Sequence, residues 1–150
     1  RPQLTPEGYD LIAARVEDIE YRRLPALRPL LVVADRDERD VAEFERLLGE
    51  ADRMRALLNS ADVITFGPDT QDGRIDIGMR VRIRLADGSD VWVRPVHPDE
   101  SFLDDERISA LSPLALALVG ARSGQTVWVS APSGIWACEV LEVESLLPAT

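Results

Sequence analysis

Two hydrophobic periods divide this chain. Over residues 4–64 the apolar positions recur at steps of three and four. Tyr9, Ile12, Val16 and Ile19 form one stripe, and Val41, Phe44, Leu48, Ala51 and Leu58 form a second, interrupted by Arg55. This spacing predicts two amphipathic helices of the coiled-coil kind. Thr5-Pro6 supplies a start signal, with a cap residue followed by proline at the first helical position. A short connection between two such helices gives an antiparallel hairpin. The alternative is two helices packed on the other half of the chain as ordinary core. Pro25 and Pro29 disturb the first helix, since each lacks an N–H and crowds the preceding turn. Pro29 is expected to end it. The connection then covers residues 29–36 and carries Leu30, Leu31, Val32 and Val33, which either continue the helix past a kink or contact something.

Beyond a polar stretch, Gly67–Asp76, the period drops to two. Met79, Val81, Ile83 and Leu85 point one way while Arg80, Arg82 and Arg84 point the other, the pattern of a half-buried strand. Ala86-Asp87-Gly88-Ser89 reads as a hairpin turn, after which Val91 and Val93 return to the buried face and Trp92 leans to the opposite one. Residues 108–120 read as a strand leading into a short helix, with Ser112 as N-cap, Pro113 at the first helical position and Gly120 at the left-handed terminus. Further strands are expected at 125–130 and 135–143, joined by a turn at Pro132-Ser133-Gly134. The expectation is an α+β chain: a helical hairpin over 1–66, a linker over 67–76, and a mostly antiparallel sheet with one packed helix over 77–150.

Composition narrows the function. The chain has 150 residues, a hydrophobic fraction of 45% and a net charge of −10. Such an acidic balance opposes binding of phosphate backbones across a broad face and favours basic protein surfaces as partners. All 17 basic residues are arginine. The longest uncharged apolar run is about eight residues, far below the roughly 20 that span a bilayer. No signal-peptide pattern opens the residues given. With Arg1 at the start, the native N-terminus is expected further upstream. Cys138 has no second cysteine to pair with, which fits a reducing, cytoplasmic setting. One Cys and one His, His97 in a loop, do not make a zinc site.

Three groups of residues could carry function. Asp35, Asp37, Glu38 and Asp40 place four carboxylates within six positions, an oxygen-rich set suited to a hard divalent cation. The plainer reading is a solvated helix start that complements the macrodipole. Arg80, Arg82 and Arg84 could meet an acidic partner, or pair with carboxylates such as Asp90 on the next strand. Trp92, Trp128 and Trp136 are either core or, where exposed, interface markers. There is no nucleophile elbow, phosphate loop or dinucleotide fingerprint. The chain is therefore not expected to be an enzyme by itself.

Several segments together resemble one family. They are Leu4-Thr5-Pro6-Glu7-Gly8-Tyr9, Arg22-Arg23-Leu24-Pro25, Ser60-Ala61-Asp62-Val63-Ile64, the run from Arg94 through Pro113 and on to Gly120, and Thr126 through Val143. They are similar to the Gre factors, which act on bacterial RNA polymerase and stimulate transcript cleavage. The resemblance is specific over the C-terminal half and weaker over the helices. It implies a coiled-coil hairpin joined to an FKBP-like domain. It also implies docking of that domain on the rim of the polymerase secondary channel, for which Ser112, Pro113, Leu114, Trp92, Arg80, Arg82 and Arg84 are the candidate contacts, and entry of the hairpin into the channel. In cleaving members, an Asp and a Glu in a tip motif Gly-Asp-Leu-x-Glu-Asn-Ala-Glu-Tyr help hold a Mg²⁺ in the polymerase, where it activates water. Here Ala34-Asp35-Arg36-Asp37-Glu38-Arg39-Asp40-Val41-Ala42-Glu43-Phe44 keeps the acids but lacks the Gly, Leu and Asn. The hairpin also reads as about nine residues shorter, roughly 7 Å of reach at about 1.5 Å per residue.

The expectation is thus a cytoplasmic, monomeric, Gre-like regulator with no cofactor of its own. It would share Mg²⁺ only inside the polymerase, and would occupy the channel without efficient cleavage. Two alternatives stand beside it. One is a cleavage stimulator using Asp35 and Glu38. The other is a binding protein of the kind named regulator of nucleoside diphosphate kinase.

Overall fold

The computed structural model describes residues 1–65 and 73–144. It is a mixed α+β chain that divides into two compact units. One comprises Arg1–Pro2 and Glu7–Ala61, the other Gln3–Pro6 and the residues from Asp62 onward. The boundaries expected at 66 and 76 therefore differ from those found. Two-residue strands β1 (Gln3–Leu4) and β2 (Asp62–Val63) pair in parallel, so residues 3–6 join the second unit. Residues 66–72 of the expected linker lie outside the described residues. Its end is not a free tether: Arg74 bridges to Arg122, and Ile75 is buried in the sheet core.

The first unit is a helical hairpin. Helix α1 (Pro6–Asp18) passes through a π-helical stretch, Ile19–Arg23, into α2 (Leu24–Leu31), and α3 (Glu38–Ser60) returns alongside. The π turn has a local cause. Pro25 has no N–H for the Tyr21 carbonyl and its ring crowds that carbonyl, so the chain widens instead, with Leu24 N–H donating five residues back to Ile19 O. The buried stripe follows the same wide step, from Ile19 to Leu24. Pro29 does not end the helix as expected, because α2 runs on to Leu31. The missing N–H leaves the Pro25 carbonyl without its i+4 donor, a local loss that does not stop the last two residues of the helix from forming. The connection is residues 32–37, not 29–36.

Ile19, Leu24, Leu47 and Ala51 form the hairpin core, with Leu27 and Phe44 against them. Two ion pairs cross the seam: Arg15 Nε to Glu50 at 2.6 Å, and an Arg55 terminal nitrogen to Glu20 at 2.6 Å. The Arg15 hydrogen bond is the main reason the Glu50 carboxyl sits below its ordinary value of 4.5. A depressed carboxyl stabilises the fold above the unfolded value and loses that contribution as pH falls through the folded one. Hairpin stability is therefore expected to fall on acidification below about pH 4.5. Glu50→Gln should flatten that part of the curve, as checked by thermal melts of helical ellipticity against pH.

The second unit is a five-stranded sheet in the order β5-β4-β3-β7-β6. Its strands are β3 (Arg80–Arg84), β4 (Asp90–Val96), β5 (Arg107–Ser109), β6 (Thr126–Ala131) and β7 (Gly134–Glu144). All neighbours are antiparallel except β4 and β5. A bulge in β7 at Leu141 lets Arg82 face Glu142 and Ile83 face Val140. Helix α4 (Pro113–Leu118) packs across β6. Val81, Ile83, Val93, Leu118, Val129, Cys138 and Val140 fill the core between them. Burial pushes the Cys138 thiol up, so it behaves as a small apolar side chain. Val91 departs from the expected alternation. It is exposed, next to the turn that closes the β3–β4 hairpin, while Val93 is buried.

Candidate functional site

The hairpin tip is built by the end of α2 and the start of α3. Asp37 is extended, with φ −78° and ψ 127°, and caps α3 by accepting from the Arg39 amide at 2.8 Å. Its other oxygen takes an Arg39 guanidinium nitrogen at 3.0 Å. These bonds, the guanidinium first, hold the Asp37 carboxyl below its ordinary range. Asp37 is thus engaged by its own chain. Asp35 and Glu38 are exposed, and Asp40 is half-buried on the first turn of α3. Among the described residues no group of three or more Asp, Glu, His or Cys side chains is placed to hold a metal ion. The tip alone does not fit a Mg²⁺ site, and no chemistry follows from it alone. Beside the acids stand uncovered apolar side chains: Val32 is 84% exposed, Leu30 46% and Val33 45%.

The second region is α4 and its approach. Ser112 is extended and caps the helix, its hydroxyl accepting from the Ala115 amide at 3.3 Å. Gly120 takes φ +92° just beyond the helix end, which its missing Cβ permits. Of the three residues expected to contact a partner here, Ser112 and Pro113 are half-buried and Leu114 packs against the core. Leu111 and Leu116, at 72% and 66% exposed, are the apolar groups presented outward. Sequence reasoning passed over both. The inward phase of Ala115 and Leu118 is the signal that would have placed Leu116 outside.

The third region is the outer face of the sheet. Arg80, Arg82 and Trp92 do come together there. The Arg80 guanidinium carbon lies 3.9 Å from the Trp92 ring centre and that of Arg82 5.9 Å away. Arg80 also bonds Glu106 at 2.6 Å, and Arg84 bonds Asp90 at 3.1 Å. The row is matched by the chain's own acids rather than left as a bare cationic strip. Trp136 packs on the core, and Trp128 is exposed. His97 accepts from the Asp99 amide in its loop.

A buried ionic group had no sequence signal. Glu100 is fully buried, with one carboxylate oxygen accepting from the Thr5 amide at 2.9 Å and the other from the Thr5 hydroxyl at 2.7 Å. Arg107, its side chain 2% exposed, donates to Glu100 at 3.4 Å and also to Asp104.

The family model described as transcription elongation factor, GreA/GreB, C-terminal, matches residues 70–145, just over half of the chain. The chain belongs to the GreA/GreB family of transcription elongation factors. Among its relatives, transcription elongation factor GreB of Pseudomonas aeruginosa is 32% identical, over 95% of this chain and 90% of that protein. Transcription elongation factor GreA of Thermotoga neapolitana is 29% identical, over 94% and 96%. A crystal structure of GreA factor homolog 1 of Thermus thermophilus aligns at 25% identity and a TM-score of 0.43, over 97% of this chain and 99% of that one. The Gre relatives are bacterial, and no helix among the described residues is long and apolar enough to cross a membrane.

Proposed function

We propose that this chain binds bacterial RNA polymerase at its secondary channel and regulates elongation there without efficient transcript cleavage. In this reading the hairpin is the family's coiled-coil arm, which enters the channel, and the sheet unit is its FKBP-like domain, which docks on the channel rim. The exposed Leu111 and Leu116 beside the capped α4 support the docking role. The observation that carries the non-cleaving part is the altered tip, Ala34 to Phe44, which keeps acids but lacks the Gly, Leu and Asn of the cleaving motif on a hairpin that reads as shorter. Asp37 within it is committed to the α3 cap and to Arg39. The protein has no catalytic group or cofactor of its own in this reading. It works as a monomer in the cytoplasm, and any Mg²⁺ it meets belongs to the polymerase.

Backtracked complexes assembled with purified polymerase test this. The chain should co-purify with core polymerase and leave the RNA 3′ end at its basal rate of shortening. Rapid shortening that disappears on changing Asp35, Asp37 and Glu38 to alanine would reverse the conclusion and make it a cleavage stimulator. Failure to co-purify would remove both Gre-type readings in favour of a binding protein for another partner.

A further inference from the structure

We propose that the hairpin tip makes its contact through apolar side chains, with Leu30, Val32 and Val33 seating on an apolar patch bordered by basic groups inside RNA polymerase. This rests on the function proposed above and specifies what the tip does there. Turns that face only water are built from Gly, Asn, Asp, Ser and Pro. Here α2 ends on Val32, at φ −95° and ψ 0°, with no glycine to close it, and the next residue is also valine. Two β-branched residues are poor turn formers, and neither folds back into the hairpin core, which is made by Ile19, Leu24, Leu47 and Ala51. Val32 is the most exposed large hydrophobic side chain among the described residues, and Leu30 and Val33 lie within one turn of it. A cluster of this kind marks a contact surface, where a lone exposed valine would not.

Charge selects the occupant. The six residues that follow, Asp35 to Asp40 (after Ala34), carry two more acids than bases, and the whole chain is at −10. Two copies meeting tip to tip would bring like charges together, which opposes self-association. A patch ringed by arginine or lysine would accept both the valines and the acids around them. Asp37 already has Arg39 as its counter-ion, so the acids act as a rim and the apolar groups as the anchor.

The test measures affinity of the full chain for core polymerase, by anisotropy of a labelled sample, for three variants. V32S/V33S is expected to weaken binding about tenfold. The near-isosteric V32T/V33T should also weaken it, and D35N/E38Q/D40N should weaken it less than either valine variant. Circular dichroism confirms that each keeps its helices. Unchanged affinity in both valine variants, with the wild type binding, overturns this proposal and leaves the polymerase reading standing. A larger loss from the carboxylate variant also overturns it. No binding by the wild type overturns both. A wild-type dimer in sedimentation that V32S/V33S abolishes would assign the patch to self-association, and the proposal would fall.

Discussion

Replacing Arg107 with alanine is expected to lower the stability of the sheet unit by about 3–5 kcal/mol, because it strands a buried carboxylate. Glu100 is fully buried, and Arg107 is its cationic neighbour at 3.4 Å. Thr5 satisfies both carboxylate oxygens with neutral donors but supplies no charge. Urea unfolding followed by tryptophan fluorescence reads this directly, since Trp92, Trp128 and Trp136 all lie in the sheet unit. The double change E100Q/R107M should recover a large part of the loss. Glutamine can still accept from Thr5, and methionine keeps the apolar stem volume without a charge to desolvate. A pair buried this deeply should also be insensitive to added salt, unlike the surface pairs of Arg84 and Asp90. A loss under about 1 kcal/mol for R107A, the range of an exposed pair, would mean that water reaches Glu100.

Leu47→Ala is the second large effect, at about 3 kcal/mol in the hairpin. Leu47 is fully buried in a core of only four buried residues, so little around it can collapse into the space. The readout separates the units by their chromophores. Helical ellipticity comes chiefly from α1, α2 and α3, of 13, 8 and 23 residues, against 6 in α4. The ellipticity transition should therefore move to lower denaturant while the tryptophan transition moves much less. One shared shift in both signals would show that hairpin and sheet unfold as a single cooperative block.

Much of this was legible because the signals are local. Alternation from Met79 to Leu85 sets the face of β3, and Ser112, Pro113 and Gly120 bracket α4 within nine residues. The stripe Ile12, Val16, Ile19 gives the buried side of α1. The misses depend on distant partners or on competition between effects. Gln3–Leu4 pairs with Asp62–Val63 across more than fifty residues, and two-residue strands have no period to detect. Glu100 sits in a Pro-Asp-Glu run that reads as solvated; only the fold brings Thr5 and Arg107 to it. Pro29 misled because one lost N–H bond to the Pro25 carbonyl was taken as enough to end the helix, whereas α2 runs two residues further. At the tip, composition shows carboxylates and not their bonds. Arg39, two residues away from Asp37, was the available sign that one of them was already engaged.

The wide turn at Ile19–Arg23 has an evolutionary corollary. It absorbs one surplus residue while keeping the greasy seam in phase from Ile19 to Leu24. Loss of that residue together with replacement of Pro25 by a residue bearing an N–H would let an uninterrupted α-helix carry the same seam at a four-residue step, whereas a single-codon deletion elsewhere along the arm would swing the seam by about 100°. Pro25 keeps the longer register, and with it the compass bearing of every side chain nearer the tip.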